Sequence, residues 1–241
     1  MAFISIFTDK KVNMNFATIS ADVISYTSLS DEGKRKLGNS IKQLLAELSE
    51  KYKEQGFFGR LVQGDYIECA INSPKDVLRI GLLLKTFIKS IDLNIPNKSK
   101  NKLKYFFEHG IRMAIAVAPL LTIDPQNGII DGEAIYLSGR TIKNLTTSDK
   151  QKIVIKNTMF FCSQDEKLQE QFDTIFSLID TILSRYSAKQ SQVIYYKLLN
   201  LSEKDISSNL KKYQSTISQH STAAGWLSIE KVINYFEKTI S

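Results

Sequence analysis

Strand-like and helix-like segments alternate along the first 160 residues, and their order restricts the possible folds more than any other feature. Period-two or apolar patterns predict strands at residues 15–25, 59–71, 110–118 and 152–156, the second being a hairpin. One-sided apolar patterns predict helices over residues 32–55, 74–91 and 134–145, and residues 94–104 read as a polar loop. The order β-α-ββ-α-β-α-β predicts an α+β fold, an α/β sandwich built on a ferredoxin-like sheet.

The rest of the chain has helical patterns without a strand signal. Helices are predicted over residues 167–185, 186–199, 202–210, 215–226 and 228–240. We therefore predict a sheet domain over residues 1–160, a connecting helix within 161–185 and a small helical domain over 186–241. The connecting helix has three open interpretations: a linker, a dimer contact or a plain core helix.

The charge is uneven along the chain, which carries a net charge of +7. Residues 181–241 contain eight Lys or Arg but only four Asp or Glu, so this segment is the more basic part per residue. Excess positive charge favours contact with a polyanion such as DNA. A solvated lysine-rich surface is the simpler alternative.

Several classes of protein are not expected. No run of 18 apolar residues is present, and residues 1–7 lack the basic leading segment of a signal peptide, so we expect neither a membrane contact nor secretion. Cys69 and Cys162 lie in apolar, strand-like runs and are interpreted as reduced core residues of a cytoplasmic protein. The scattered His and Cys residues lack zinc-site spacing.

Two acidic residues follow strand-like runs. A β-rich run at residues 16–20 leads into Asp22, and Asp65 follows Gly64 in the predicted hairpin. Carboxylates that face each other across adjacent strands can hold Mg²⁺ or Mn²⁺. Alternatively, both are ordinary turn residues at strand ends, where Asp is common.

Four segments, in order, resemble motifs of class III nucleotidyl cyclases. They are residues 21–30 (ADVISYTSLS), 64–65 (GD), 110–115 (GIRMAI) and 132–140 (GEAIYLSGR). The combination of a cyclase-like domain with a C-terminal helix-turn-helix also resembles a bacterial group related to SatD.

The cyclase resemblance implies a chemistry and a set of residues. Two Mg²⁺ or Mn²⁺ ions would bind Asp22 and Asp65, and the turn at Tyr26 and Thr27 would hold a nucleoside triphosphate. The 3′-hydroxyl would attack the α-phosphorus with pyrophosphate leaving, and Arg140 would be the catalytic, charge-stabilising and nucleotide-binding arginine. Arg60 lies near the expected base-reading position. In this family the active sites form between two subunits, which implies a homodimer.

The sequence departs from the cyclase pattern at three positions. Tyr136 replaces the family's ribose-orienting Asn, which leaves turnover open. Leu61 stands where an adenine-reading Lys is expected, and Ile129 where its acidic partner is expected. The base of any nucleotide is therefore not predicted.

The C-terminal pattern resembles the helix-turn-helix of sigma-factor region 4. In that family the third helix enters the major groove. The resemblance implies contacts to DNA from the following residues: Lys211, Lys212, Gln214, Ser215, Thr216, Gln219 and His220. Gln and neighbouring polar residues would read bases, and the lysines would touch phosphates. The alternative is a small helical module for dimerisation or protein docking.

Three functions remain open at this point. The first is a nucleotide- and Mg²⁺-responsive DNA-binding regulator, which we prefer because both motifs occur in one chain. The second is an active nucleotidyl cyclase, and the third is a degenerate cyclase-like fold used only for dimerisation.

Overall fold

The structure, a computed structural model, describes residues 15–93, 101–149 and 157–240. The predicted strand at 152–156 and most of the predicted loop at 94–104 lie outside these residues. Among the described helices, none has the length and apolarity needed to cross a lipid bilayer.

A five-stranded sheet forms the centre of the molecule, with strand order β2-β3-β1-β4-β7. The strands are β1 (Asn15–Val23), β2 (Phe58–Val62), β3 (Tyr66–Ile71), β4 (Ile111–Pro119), β5 (Thr122–Asp124), β6 (Ile129–Asp131) and β7 (Met159–Ser163). β7 lies parallel to β4, and the other neighbours in this sheet are antiparallel. Strands β1 to β4 have the order of a ferredoxin-like sheet, which confirms the predicted fold class.

The helices are α1 (Asp31–Lys51), α2 (Val77–Ser90), α3 (Lys104–His109), α4 (Glu133–Asp149), α5 (Glu166–Ser184), α6 (Ala188–Leu198), α7 (Glu203–Leu210), α8 (Gln214–Ala223) and α9 (Trp226–Thr239). Ser30 caps α1, its hydroxyl accepting a hydrogen bond from the Gly33 N–H. Ser187 and Gln190 form a reciprocal capping box at the start of α6.

The two faces of β1 bury different kinds of side chain, apolar on one face and hydroxyl-bearing on the other, because successive side chains of a strand point to opposite faces. Ala17, Ile19 and Ala21 belong to the main apolar core, which they share with α1 and α2. Thr18 and Ser20 point to the opposite face, where both hydroxyls contact the Ser138 hydroxyl of α4 at 3.1 and 2.8 Å. The sheet is therefore covered on both faces, and α4 lies over the polar side of β1.

The C-terminal helices pack directly against the sheet domain. α6 lies on α2, and α9 also contacts α2. Phe161 of β7 meets Phe172, Phe176 and Phe236 with ring centroids 5.1, 5.4 and 6.0 Å apart. One apolar core thus runs from the sheet through α5 into α9.

Some predicted elements differ from those observed. The short hairpin β5–β6 and helix α3 were not predicted, and β7 was recognised only as a strand-like run around Cys162. Trp226 was placed in the third C-terminal helix but begins α9, because Gly225 has a positive φ of 68° and ends the preceding helix. One side of α5, which includes Phe172 and Phe176, faces the core. The proposed domain boundaries stay a prediction.

Candidate functional site

Asp22 and Asp65 lie on neighbouring strands at one end of the sheet. Asp22 is the register partner of Tyr66 in β3, and Asp65 directly precedes that tyrosine. The Val23 N–H donates a hydrogen bond to the Asp65 carbonyl at 2.9 Å. The backbone thus places both predicted acidic residues side by side.

A tight turn and an adjacent tyrosine form one wall beside these aspartates. Gln63 and Gly64 both have positive φ, 52° and 87°, a backbone conformation that glycine adopts more easily than other residues. A Cβ atom at Gly64 would lie 2.7 Å from the Tyr26 hydroxyl. Tyr26 and Thr27 belong to the 3-10 turn that follows β1, so the predicted Tyr-Thr turn does lie against the Gly64–Asp65 turn.

Asp22 also has a buried cationic neighbour. The Arg112 Nη1 lies 3.6 Å from the Asp22 Oδ2, and their side chains are 5% and 21% exposed. Arg112 is the register partner of Asp22 in β4, so the pairing follows from strand alignment. Burial raises the pKa of Asp65 above its usual value.

The donor set fits a metal ion only in combination with a ligand. Among residues 15–93, 101–149 and 157–240 there is no cluster of three or more His, Cys, Asp or Glu side chains suited to a metal. Mg²⁺ is commonly bound through one or two carboxylates together with substrate phosphates and water. A divalent metal ion held by Asp22 and Asp65 would therefore need further ligands, such as phosphate oxygens or water.

The two predicted nucleotide-binding arginines differ in their surroundings. The Arg60 Nε donates to the Glu68 Oε2 at 2.8 Å, so a structural ion pair already holds Arg60. Arg140 is exposed on α4, with its guanidinium carbon 5.8 Å from the centre of the Tyr136 ring. The Tyr136 hydroxyl donates to Asp131. Arg140 is therefore the more accessible cation of the two.

A buried polar cluster that we did not predict lies near Arg112. The Lys85 Nζ is 3.3 Å from the Asp180 Oδ1, and both side chains are almost fully buried. Lys85 also donates to the Ile111 carbonyl at 2.9 Å and to the Thr158 hydroxyl at 2.7 Å. Burial acts to raise the pKa of Asp180, but Lys85 and Thr158 outweigh it, so the pKa lies below its usual value. The available sequence signal was a lysine within the apolar pattern of α2.

Helices α7 and α8 are joined by a short turn at residues 211–213. Lys211 ends α7 with a positive φ of 50°, and α8 begins after Lys212 and Tyr213. Val193, Ile206 and Ile217 form a small core that joins these two helices to α6. Ile217 and Ala224 face inward, since both are 1% exposed.

The predicted DNA-contacting residues lie around the start and outer face of α8. Five are exposed, namely Lys211, Lys212, Gln214, Ser215 and Gln219. Thr216 and His220 are half-buried, so they lie at the border of this surface. Tyr213 was not predicted but is 84% exposed within the same turn.

Comparison with models of protein families gives no match. Comparison with curated protein sequences gives no match either. Solved structures similar to this chain include two of a bacterial light-regulated adenylyl cyclase, both with a TM-score of 0.42 and at 12% and 11% identity. These alignments cover 61% and 62% of this chain but only 43% of each cyclase chain. Another is the guanylyl cyclase Cya2, with a TM-score of 0.36 and 13% identity over 52% of this chain and 68% of that chain.

Proposed function

We propose that this protein is a DNA-binding regulator whose sheet domain binds a nucleoside triphosphate together with Mg²⁺. The observation that carries the proposal is the solvent-facing side of α8. Apart from Ala223, its exposed residues are polar and uncharged, and Lys211 and Lys212 precede its first turn. α8 contains no Asp or Glu, so no carboxylate on this helix would repel DNA phosphates.

The packing of α7 and α8 supports the same proposal. The small core around Ile206 and Ile217 fixes α8 against α6 and α7 and leaves its opposite side free for a groove. Gln214, Ser215 and Gln219 supply amide and hydroxyl groups that hydrogen-bond to base edges. Lys211 and Lys212 supply phosphate contacts, which hold such a helix in register.

DNA binding is tested by fluorescence anisotropy on a labelled duplex of mixed sequence at several salt concentrations. We expect the Lys211→Ala/Lys212→Ala variant to bind more weakly and to lose about 1.8 from the slope of log K against log salt. The matched control is Lys189→Ala/Lys231→Ala, which removes two exposed lysines elsewhere. An equal loss of affinity in both variants would show only a general charge effect and would contradict the proposal.

The nucleotide part of the proposal is supported by the convergence of Asp22, Asp65 and Tyr26 at one end of the sheet. Asp65 is the better residue to test, because Asp22→Asn would also remove the ion pair of a buried arginine.

We expect a thermal shift with one of ATP, GTP, CTP or UTP in the presence of Mn²⁺, which corresponds to about 2.7 kcal/mol of added stability at 100 times the dissociation constant. Asp65→Asn should abolish the shift, whereas Asp173→Asn on the exposed side of α5 should retain it. An unchanged shift in Asp65→Asn would remove this site assignment.

A homodimer is part of the proposed function. Leu121, Ile129 and Tyr136 are 77%, 45% and 46% exposed. Leu121 and Ile129 lie at the β5–β6 hairpin. Tyr136 lies near the start of α4, the helix that also carries Arg140. Exposed apolar side chains in such a cluster favour an interface. Sedimentation should give a dimer that Leu121→Glu dissociates; a monomeric wild-type protein would exclude this arrangement.

Nucleotidyl cyclase activity is a second candidate, favoured by the accessible Arg140 guanidinium. Asp22 and Asp65 would hold the metal ions, and Arg140 of the opposite protomer would offset charge on the phosphates. Product analysis with each triphosphate and Mn²⁺ tests it, with Arg140→Ala as the inactive variant. If no cyclic product forms and DNA affinity is indifferent to nucleotide, the sheet domain serves as a dimerisation scaffold.

A further inference from the structure

A cavity of about 490 Å³ lies among the C-terminal helices, away from the aspartates and from the outer face of α8. It is bounded by the end of α6, the start of α7, the end of α8 and the first turn of α9. Its volume falls within the usual range for small-molecule sites. No part of the proposed function uses this cavity.

One part of the cavity wall is apolar and aromatic. Trp226 and Leu227, the first two residues of α9, both line it. The Trp226 side chain is only 9% exposed, so it is fixed by the surrounding core, whereas Leu227 is 71% exposed at the opening. A flat apolar group would bury its surface against the indole.

Another part of the wall carries charges and hydroxyls. The Lys197 Nζ lies 3.1 Å from the Glu203 Oε1, and both residues line the cavity. The Lys197 ammonium has three donor hydrogens, so it can bind a ligand carboxylate while it also binds Glu203, and the nearby Glu203 carboxylate disfavours a dianion. Ser228 adds a further hydroxyl from the first turn of α9.

Ser221 adds a largely buried hydroxyl to the cavity wall. It lines the cavity from α8 and is only 5% exposed. No hydrogen bond joins its hydroxyl to another described residue. The Ser221 hydroxyl is therefore available to donate a hydrogen bond to an acceptor bound in the cavity.

The start of α9 adds a favourable potential for an anion. Gly225, at the N-cap, has a positive φ of 68° and provides no side-chain cap for the helix. Gly225 lines the cavity together with the residues of the first turn. Backbone N–H groups at a helix start attract carboxylates and other anions.

We propose that this cavity binds a small monocarboxylate that carries an aromatic or flat apolar group. The carboxylate would lie near the Lys197 ammonium, the Ser221 hydroxyl and the first turn of α9, with the apolar group against Trp226. Such a ligand joins α8 to α9, because Ser221 belongs to the former and Trp226 to the latter.

The chain provides its own probe of this site, because Trp226 is its single tryptophan. Titration with phenylacetate should change the tryptophan fluorescence in a saturable way. Phenylacetamide has a similar shape without the charge, and inorganic phosphate has charge without the ring; neither should saturate the signal. Absence of saturation with phenylacetate, or an equal response to either control compound, would overturn the proposal.

Two variants test the residues. Ser221→Ala should weaken phenylacetate binding about fivefold, the loss of one hydrogen bond. Lys197→Met should weaken it at least about tenfold, because a charged partner is removed. Lys204→Met, which removes an exposed lysine from α7, is the control and should bind like the wild type. Unchanged affinity in Ser221→Ala and Lys197→Met would overturn the assignment, and melting temperatures establish that each variant is folded.

Discussion

The Asp22 carboxylate shares its surroundings with a buried arginine, and this constrains what Asp22 can bind. Arg112 lies 3.6 Å away and is held by its position in β4. A free divalent cation would be repelled by the guanidinium, whereas a metal bound to a triphosphate brings compensating negative charge. The proposed site is therefore expected to recognise the metal and nucleotide together, with little affinity for the metal alone.

The buried pair of Lys85 and Asp180 yields a stability prediction. Both side chains are nearly inaccessible to water. Removing one partner leaves an uncompensated buried charge, so we expect Lys85→Met or Asp180→Leu alone to cost about 3–5 kcal/mol. The double variant should recover most of this loss, because two apolar side chains leave no charge unpaired. Urea unfolding of the three variants measures the coupling, and additive losses would contradict the prediction.

Lys89 gives a prediction on pH dependence. Its ammonium donates to the carbonyls of Leu183 and Ser184 at the end of α5. Burial, followed by repulsion from Lys85, lowers the pKa of Lys89 to about 7, although Glu108 and Asp180 oppose this. The unfolded chain holds this proton to about pH 10, so the unfolded state binds more protons than the native state between these values.

Wild-type stability relative to Lys89→Met should therefore rise with pH from about 7 to 9. Titrating groups that both proteins share contribute equally and cancel in this difference, so no further control variant is needed. The measurement is urea unfolding of both proteins at pH 7 and pH 9. A difference in unfolding free energy that stays constant or falls between these pH values would contradict the lowered pKa.

Lys211, in the turn between α7 and α8, allows the effect of its backbone conformation on stability to be measured apart from the proposed effect of its side chain on DNA binding. Lys211 adopts a left-handed conformation with φ 50°, which is unfavourable for a residue with a side chain. Lys211→Gly should therefore raise the free energy of unfolding by up to about 1 kcal/mol while it weakens DNA binding. Chemical unfolding and anisotropy measure the two effects. Lower stability in this variant would show that the Lys211 side chain contributes to folding.

Elements with a clear apolar pattern were predictable from the sequence, and the shortest strands were not. The apolar stripe of α1 and the alternation in β1 determine those elements locally, and the observed bounds lie within a few residues of the predicted ones. β5, β6 and β7 have three, three and five residues, and they form strands only because a partner strand is present.

The same distinction applies to the candidate site. Asp22 and Asp65 were predicted because each follows a recognisable strand pattern. The ion pair of Arg112 with Asp22 depends on the register between β1 and β4, which no local pattern specifies. The cavity beside Trp226 depends on how four helices meet, so it was also beyond sequence reasoning.

At the level of the entire chain, the packing couples the C-terminal helices to the sheet. Phe236 of α9 is fully buried and meets rings from β7 and α5. Trp226, at the start of the same helix, belongs to the same apolar core as Cys69 in β3. Packed side chains thus connect the sheet domain to α9, and α9 to α8, so a conformational change in the sheet domain can be transmitted to α8.

This coupling predicts a single cooperative unfolding transition. Trp226 fluorescence reports on α9, and pulsed thiol labelling of buried Cys69, read by mass spectrometry, reports on β3. The two midpoints in urea should coincide, and Phe236→Ala should shift both to lower urea, at a cost of about 3–5 kcal/mol. Leu227→Ala, at an exposed position of α9, is the control and should shift neither. Separate midpoints would instead mean that residues 186–241 unfold as an independent domain, and that α9 does not transmit the state of the sheet to α8.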